Sequence, residues 1–510
     1  MSPNPRPRKL LTAVTVASVV SVAALLPAES ASAQTVINVP GDQPTIQSAI
    51  DAAATGDIVL VAPGTYVENI NFRGKAITVE SAQGPGVTII DGNLAGPVVT
   101  LTSGEGPASV LRGFTVQRGD GGSGIGNGGG VRISGGAPTI EGNVITNNRA
   151  CGGGAGIEAA FSSARIENNR ITNNSQYGCS GGIGGGGIGV RGAGQTQIID
   201  NVVMGNSWGS SGGGITLFAA GSPTIRGNVI RANSAYGDGG GIWIVNRSDA
   251  SIVQNVITGN RAGQGGGIYW GVPSEARGPL LVNNTIAGNQ GQGSGIFAGG
   301  FDAQAQLFNN IIVGTLGQPA VFCDPFYDPS PPVFRSNNVF SSDVAPYGGT
   351  CGDPTGTNGN LSADPLFVDA AGNDHHLAAG SPSIDAGDNS APELPTTDID
   401  GDRRVMNGIV DQGADEFPAS TSVPSAPTDL SAIRIHNKAT VSWSPPVSDG
   451  GHPILSYTVT VSDGRRKTIK PSKSSITFDQ IRKDTTYTFT VVATNVLGPG
   501  DPASVTLPAV

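Results

Sequence analysis

The chain is poor in charge, in aromatic rings and in imidazoles. Asp, Glu, Lys and Arg make up 13% of its 510 residues, aromatics make up 5%, and there are only 4 His, 4 Cys and 3 Met. A sparse, net negative charge of −10 argues against a nucleic-acid partner. Disorder is excluded as well, because the apolar residues are periodic and the net charge is modest. No stretch of the central region carries a sustained helical stripe. Beyond the N-terminus no run approaches the ~18 consecutive apolar residues of a membrane span. No His lies between Ala137 and Phe340, and no Ser-His-Asp or Cys-His arrangement is legible.

What the chain has in excess is Gly, at 78 residues. Much of it falls in an array of imperfect repeats from Ala137 to Phe340. The units PTIRGNVIRANSAYGDGGGIWI (Pro223 to Ile244) and ASIVQNVITGNRAGQGGGIYW (Ala250 to Trp270) share one pattern. It reads I-x-x-N-x-I-x-x-N, a polar loop, a Gly triplet and an apolar residue. The central Asn recurs as Asn143, Asn169, Asn201, Asn228, Asn255, Asn284, Asn310 and Asn338. Three positions earlier stand Ile140, Ile166, Ile198, Ile225, Ile252, Leu281 and Leu307, and Arg335 breaks that column. Two positions later the column runs from Ile145 and Ile171 to Ile312 and Phe340. Five positions later stand Asn148, Asn174, Asn206, Asn233, Asn260 and Asn289.

β-branched residues at short spacing favour strands, and the glycines break helices. Three short strands and three bends close one turn of a coil, and like residues then stack at about 4.8 Å. The Ile and Val columns point inward. The Asn columns bond to the next coil and tolerate the left-handed conformation of a bend. Parallel crossovers make the coil right-handed. A leucine-rich horseshoe would need more Leu and a helical return. The run Gly119 to Gly130 looks like a phosphate loop, but no following helix supports that reading.

This array, with its flanks from about Thr35 to Phe417, resembles the right-handed parallel β-helix of the pectin-lyase-like superfamily. The resemblance implies an all-β solenoid and leaves function open, since such coils carry lyases, hydrolases, esterases and non-catalytic binders.

Taken in order, Met1 to Ala33 reads as a secretory signal peptide, with Arg6, Arg8 and Lys9 before an apolar core and Ala31-Ser32-Ala33 at the cleavage site. Export leaves a secreted or cell-surface-associated protein with no membrane span, and a monomer is expected. Pro44 to about Ala54 reads as a short helix capping the open end of the coil, with Asp42 or Gln43 at its N-cap. Residues 34–417 form the β-helix with its cap and an irregular closing segment. That segment, Leu361 to Asn389 and Asp398 to Phe417, resembles the end of many exported bacterial β-helix proteins. Residues 418–425 read as a linker, and 426–510 resemble a fibronectin type III sandwich, with VSWSPP, YTVTV and YTFTVVATNVLGPG. Trp443 is then the buried core Trp and Tyr487 a tyrosine corner.

None of the superfamily's catalytic motifs stands in the array, so a cofactor is not required. Alternation along the strand after each Gly triplet instead places Arg132, Glu158, Gly189, Thr216, Trp243, Tyr269 and Phe297 on one outer column. Aromatic faces there suit a polysaccharide or cell-surface glycan. A second column carries Tyr177, Trp208 and Tyr236, with Asp238 the one candidate acid beside it. Both columns also read as stacks that merely cover loop backbone. Asp398, Asp400 and Asp402 suggest calcium by their alternate spacing, or else solvated turn carboxylates paired with Arg403 or Arg404. His375 and His376 point to opposite faces and read as structural. The function expected is glycan or surface binding without catalysis; the alternative is a divergent polysaccharide lyase or glycosidase. An exported chain with four cysteines favours disulfides. The repeat register pairs Cys151 with Cys179 and Cys323 with Cys351.

Overall fold

In a computed structural model, the described residues are 34–124, 126–179, 183–272, 277–300, 305–325, 330–417, 423–449 and 454–509. The expected signal peptide and most of the expected linker lie outside them. Among the described residues no helix is long and apolar enough to cross a membrane.

Three parallel sheets of 12, 11 and 11 strands wind around one core, and a short sheet of 6 strands runs beside them. One coil shows the order. Thr139–Glu141 lies in the first sheet, Val144–Thr146 in the second, Arg149–Ala150 in the short sheet and Ile157–Ala160 in the third. The predicted columns are stacked: Ile145 pairs with Ile171, then Val203, Ile230, Ile257, Ile286 and Ile312. All of these are buried, in a hydrophobic cluster continuous from Val39 to Cys351. The short sheet adds a fourth strand to six of the coils, which the pattern of three strands missed.

The asparagines make two ladders. The Asn228 side-chain oxygen accepts from Asn201 N at 2.9 Å and Asn201 Nδ2 at 3.0 Å. Its own Nδ2 donates to Ile198 O and to Asn255 Oδ1, both at 2.9 Å. The second ladder, Asn148 to Asn289, repeats this bonding. The left-handed residue of each bend is not the ladder Asn, as expected, but the residue before it: Gly142, Asn168, Asp200, Gly227 and Gln254 all have positive φ. The ladder Asn is thereby left free to turn its amide inward. The glycine before each strand of the third sheet answers a different need. A Cβ on Gly241 would stand 2.5 Å from Gly267 O and 3.1 Å from Asn260 Nδ2.

The last coil departs from the predicted register by one residue. Leu307 pairs with Phe334, and Ile312 with Val339. The ladder therefore continues through Asn337 to Asn360, while Asn338 Nδ2 bonds the Ser383 hydroxyl. A one-residue slip inverts every side chain of a strand. Here it puts Phe334 in the core and turns Arg335 out towards Asp388, avoiding a buried unpaired charge. The pairing of the cysteines survives the shift. Cys151–Cys179 and Cys323–Cys351 are both formed, with Cα separations of 5.7 and 5.0 Å. Each closes a 28-residue loop, worth about 3 kcal/mol by chain entropy.

The cap is the helix Ile46–Ala52, whose N-cap is Thr45 in a capping box with Ser48. Asp42 instead bonds Asn38, and Pro44 lies before the cap. Ile46, Ala49 and Ile50 are buried against the coil. Glu68 accepts from the N–H groups of Ile46 and Gln47, while Lys75 Nζ reaches the carbonyls of Ile50, Asp51 and Ala53. An anion at the N-terminus and a cation at the C-terminus both suit the helix dipole.

The closing segment begins on the far end, where Leu361 bridges Asn338, and then folds back along the first and second sheets. Asn283 Nδ2 donates to the carbonyls of Asp411 and Gly413, and Ala414 N donates to Thr285 Oγ1. Arg404 is fully buried, donating to Ala414 O and Gly413 O. In the C-terminal sandwich, sheets of three and four antiparallel strands enclose Trp443, with Tyr457 edge-on at 5.4 Å. The Tyr487 hydroxyl accepts from Arg482 N at 3.3 Å, the expected corner.

Asn228→Ala removes the acceptor of the buried Asn201 N–H, while Asn201 Nδ2 keeps the carbonyls of Ile166 and Ile199 and Asn255 Oδ1 keeps the N–H of residue 228. A stranded buried donor costs about 1–3 kcal/mol, so the variant should lose about 2 kcal/mol in equilibrium unfolding. A loss under about 1 kcal/mol would mean the ladder is not what holds the coils.

Candidate functional site

The outer column of the third sheet has the predicted register: Arg132, Glu158, Gly189, Thr216, Trp243, Tyr269 and Phe297 pair in succession, and Phe322 continues it. Its exposure differs from the expectation. Trp243 and Tyr269 are half-buried, but Phe297 is only 1% exposed. Tyr269 and Phe297 stack at 5.4 Å, and Phe297 and Phe322 at 5.2 Å, with interplanar angles of 13° and 18°. Rings stacked coil on coil cover one another's faces, so Phe297 holds coils together and cannot receive a sugar ring. Phe322 escaped notice because no Gly triplet precedes it. Trp208, 3% exposed, is likewise removed from the surface: it packs on Ala150 and Ala155 beneath the Gly-rich loops.

Tyr236 is 87% exposed, the most open aromatic of the second column. Tyr177 carries the Arg149 guanidinium 4.0 Å above its ring. Asp238 is half-buried, its backbone N–H bonded to the Ser211 hydroxyl, and burial raises its carboxyl pKa.

The N-terminal half of the same face holds a cleft of about 480 Å³, lined by Arg132, Ala160, Phe161, Arg191 and Phe218 among others. Its wall is braced from behind. Glu158 is fully buried, accepts from Gly154 N at 2.6 Å and pairs with Arg191 Nε. Burial raises the Glu158 pKa against the pull of Arg191. Arg191 Nη2 donates onward to Gly152 O and Ile183 O, tying two Gly-rich loops to the sheet. Gly189 leaves the room Glu158 needs, since a Cβ there would sit 2.4 Å from its Oε2.

Phe161 is the residue that sequence reading missed. It occupies the bend position filled by Gly135, Gly192, Ala219 and Asn246 on neighbouring coils, and its φ is 51°. A bulky side chain costs roughly 1–2 kcal/mol there relative to its normal backbone region. The residue is nevertheless 67% exposed, with its ring lying over Gly192 of the next coil. A strained bend that carries an exposed apolar side chain is a candidate contact position. The signal available was a Phe in a column otherwise small or Asn.

Of the three carboxylates whose spacing suggested calcium, Asp398 and Asp400 have protein partners. Both oxygens of Asp398 are occupied by the backbone N–H groups of Asp400, Asp402 and Glu416, so this carboxylate fastens the turn. Asp400 turns away to His376, with Oδ2 2.8 Å from Nε2. His376 Nδ1 lies 2.5 Å from Asp374 Oδ1. Burial opposes a charge on His376, but the hydrogen bonds of Asp374 and Asp400 outweigh it and push its pKa up to about 9. His375 does face the other way, buried edge-on to Phe367 at 5.0 Å.

Residues 103–310 match the family described as right handed beta helix region, and residues 425–509 match the fibronectin type III domain. The chain is thus a right-handed parallel β-helix followed by a fibronectin type III domain. It is 34% identical over 92 residues to netrin receptor DCC of Rattus norvegicus, Homo sapiens and Mus musculus, a match covering 17% of this chain and 6% of each receptor. Among solved structures, the C. elegans twitchin kinase region is 23% identical, with a TM-score of 0.16 and 17% of each chain covered. The rat CD45 extracellular domains d3–d4 are 24% identical, with a TM-score of 0.16, covering 18% of this chain and 51% of that one. The two modules and the disulfides indicate a protein of extracellular type.

Phe161→Asn places a residue that tolerates positive φ at the bend, as Asn246 does three coils on. It should raise stability by about 0.5–1 kcal/mol in thermal or denaturant unfolding. A destabilised variant would show that Phe161 is held for packing.

Proposed function

We propose that this is an exported protein that binds polysaccharide or a surface glycan along the outer face of the third sheet, without catalysis of its own. The carrying observation is Phe161, an exposed apolar side chain held in a strained bend beside the cleft that Arg132 and Phe218 line. Sugar rings stack on such faces, and a neighbouring guanidinium donates to their hydroxyls or carboxylates. Trp243 and Tyr269 stand further along the same face, so an extended chain following the coil axis meets both ends. The periodicity of about 4.8 Å between coils suits a polymer better than a small ligand. The fibronectin type III domain then acts as spacer or adhesion module, and the signal peptide supplies the route to the surface.

A glycan array probed with the full chain, followed by product analysis on the positives, tests this reading. Phe161→Asn, and separately Trp243→Ala with Tyr269→Ala, should each weaken retention tenfold or more with folding intact. Retention unchanged in both variants would end the proposal. New reducing or unsaturated ends in the product would replace it with the alternative, a polysaccharide hydrolase or lyase.

A further inference from the structure

The closing segment brings together three side chains that no sequence spacing links. His376 comes from the hairpin of Phe367–Asp369 and Asp374–Leu377. Asp400 comes from the turn that Asp398 fastens, and Asp415 from the stretch docked on Thr285. One ligand atom from each lies within 4.8 Å of the other two. Asp415 Oδ2 also accepts from Leu377 N at 3.0 Å, which fixes the carboxylate. They border a recess of about 160 Å³ that His375 also lines, and its buried Nδ1 lacks a well-formed hydrogen bond.

We propose that His376, Asp400 and Asp415 bind a divalent transition-metal ion of the zinc type, which pins the closing segment to itself. One imidazole and two carboxylates are a donor set that such ions accept, with water completing the shell. The second, independent sign is Asp374. Metal-bound imidazoles characteristically give their other nitrogen to a carboxylate, which fixes the tautomer and aims the ring. Asp374 Oδ1 stands at Nδ1, leaving Nε2 towards Asp400 and Asp415. The His376 Nε2 to Asp400 Oδ2 distance of 2.8 Å is a hydrogen bond of the metal-free chain, and an ion between the two atoms would replace its proton and spread them to about 3.3 Å. Ligands at about 2.0–2.2 Å then require only modest movement of two half-exposed side chains. The gain is structural, because the ion joins positions 376, 400 and 415 across loops that the two disulfides do not reach.

The test loads full-length protein with zinc chloride, and in parallel with calcium chloride, after chelation. Retained metal is counted by mass spectrometry after dialysis, and the melting temperature is read with and without each ion. The wild-type chain should keep about one zinc and melt higher with it. His376→Ala and Asp400→Asn should lose the zinc and its thermal shift, each read against the melting temperature of the same variant without the ion. Asp402→Asn should keep both. The proposal is overturned by no zinc in the wild-type chain, by retention unchanged in the first two variants, by equal loss in Asp402→Asn, or by calcium retained in preference to zinc.

Discussion

The side-chain amide of asparagine, bonded from coil to coil inside the solenoid, is the constraint on which the rest depends. A buried amide must satisfy both donors and its acceptor. In the ladders each does so only if the next coil presents another amide at the same place. That demand fixes the register of all three sheets together. It also explains the residue before each ladder Asn, which takes the left-handed conformation so that the amide can point inward. The Gly triplets follow from the same closeness, since Asn260 Nδ2 and the neighbouring carbonyl leave no room for a Cβ at Gly241.

Much of this was legible in the sequence because the ladder and the apolar columns repeat with the coil. Recurrence made Ile145 to Ile312 align, and it paired the cysteines. It failed where local chemistry was ambiguous. Asn337 and Asn338 are adjacent, so either can serve as the ladder member, and burial of Phe334 against exposure of Arg335 decides. The helix cap fell on Thr45 because a capping box outweighs a nearby Asp. The aromatic column was found, but exposure was not, since a sequence cannot say whether rings stack on each other or face solvent. His376, Asp400 and Asp415 were out of reach altogether, because their convergence comes from a segment folding back across the sheet.

Two kinds of residue on the outer face can now be separated. Phe297, Phe322, Trp208 and the Glu158–Arg191 pair support the coils and loops. Phe161 does the opposite: it sits in a strained bend with its side chain exposed. The ladders make that strain affordable, because a coil held on both sides by amide bonds keeps its shape around one unfavourable bend. A rigid scaffold that tolerates strained surface positions suits recognition of a repeating polymer.

Native-state hydrogen exchange of the unmodified protein tests the ladder most directly. If the amides hold the coils, the backbone N–H groups of Asn201, Asn228 and Asn255, each bonded to the next ladder oxygen, should exchange only through the largest opening of the β-helix. They should be the last to exchange, together with the Ile230 and Ile257 strands. Ladder N–H groups exchanging as fast as the solvent-exposed N–H groups of the surface loops would contradict the account.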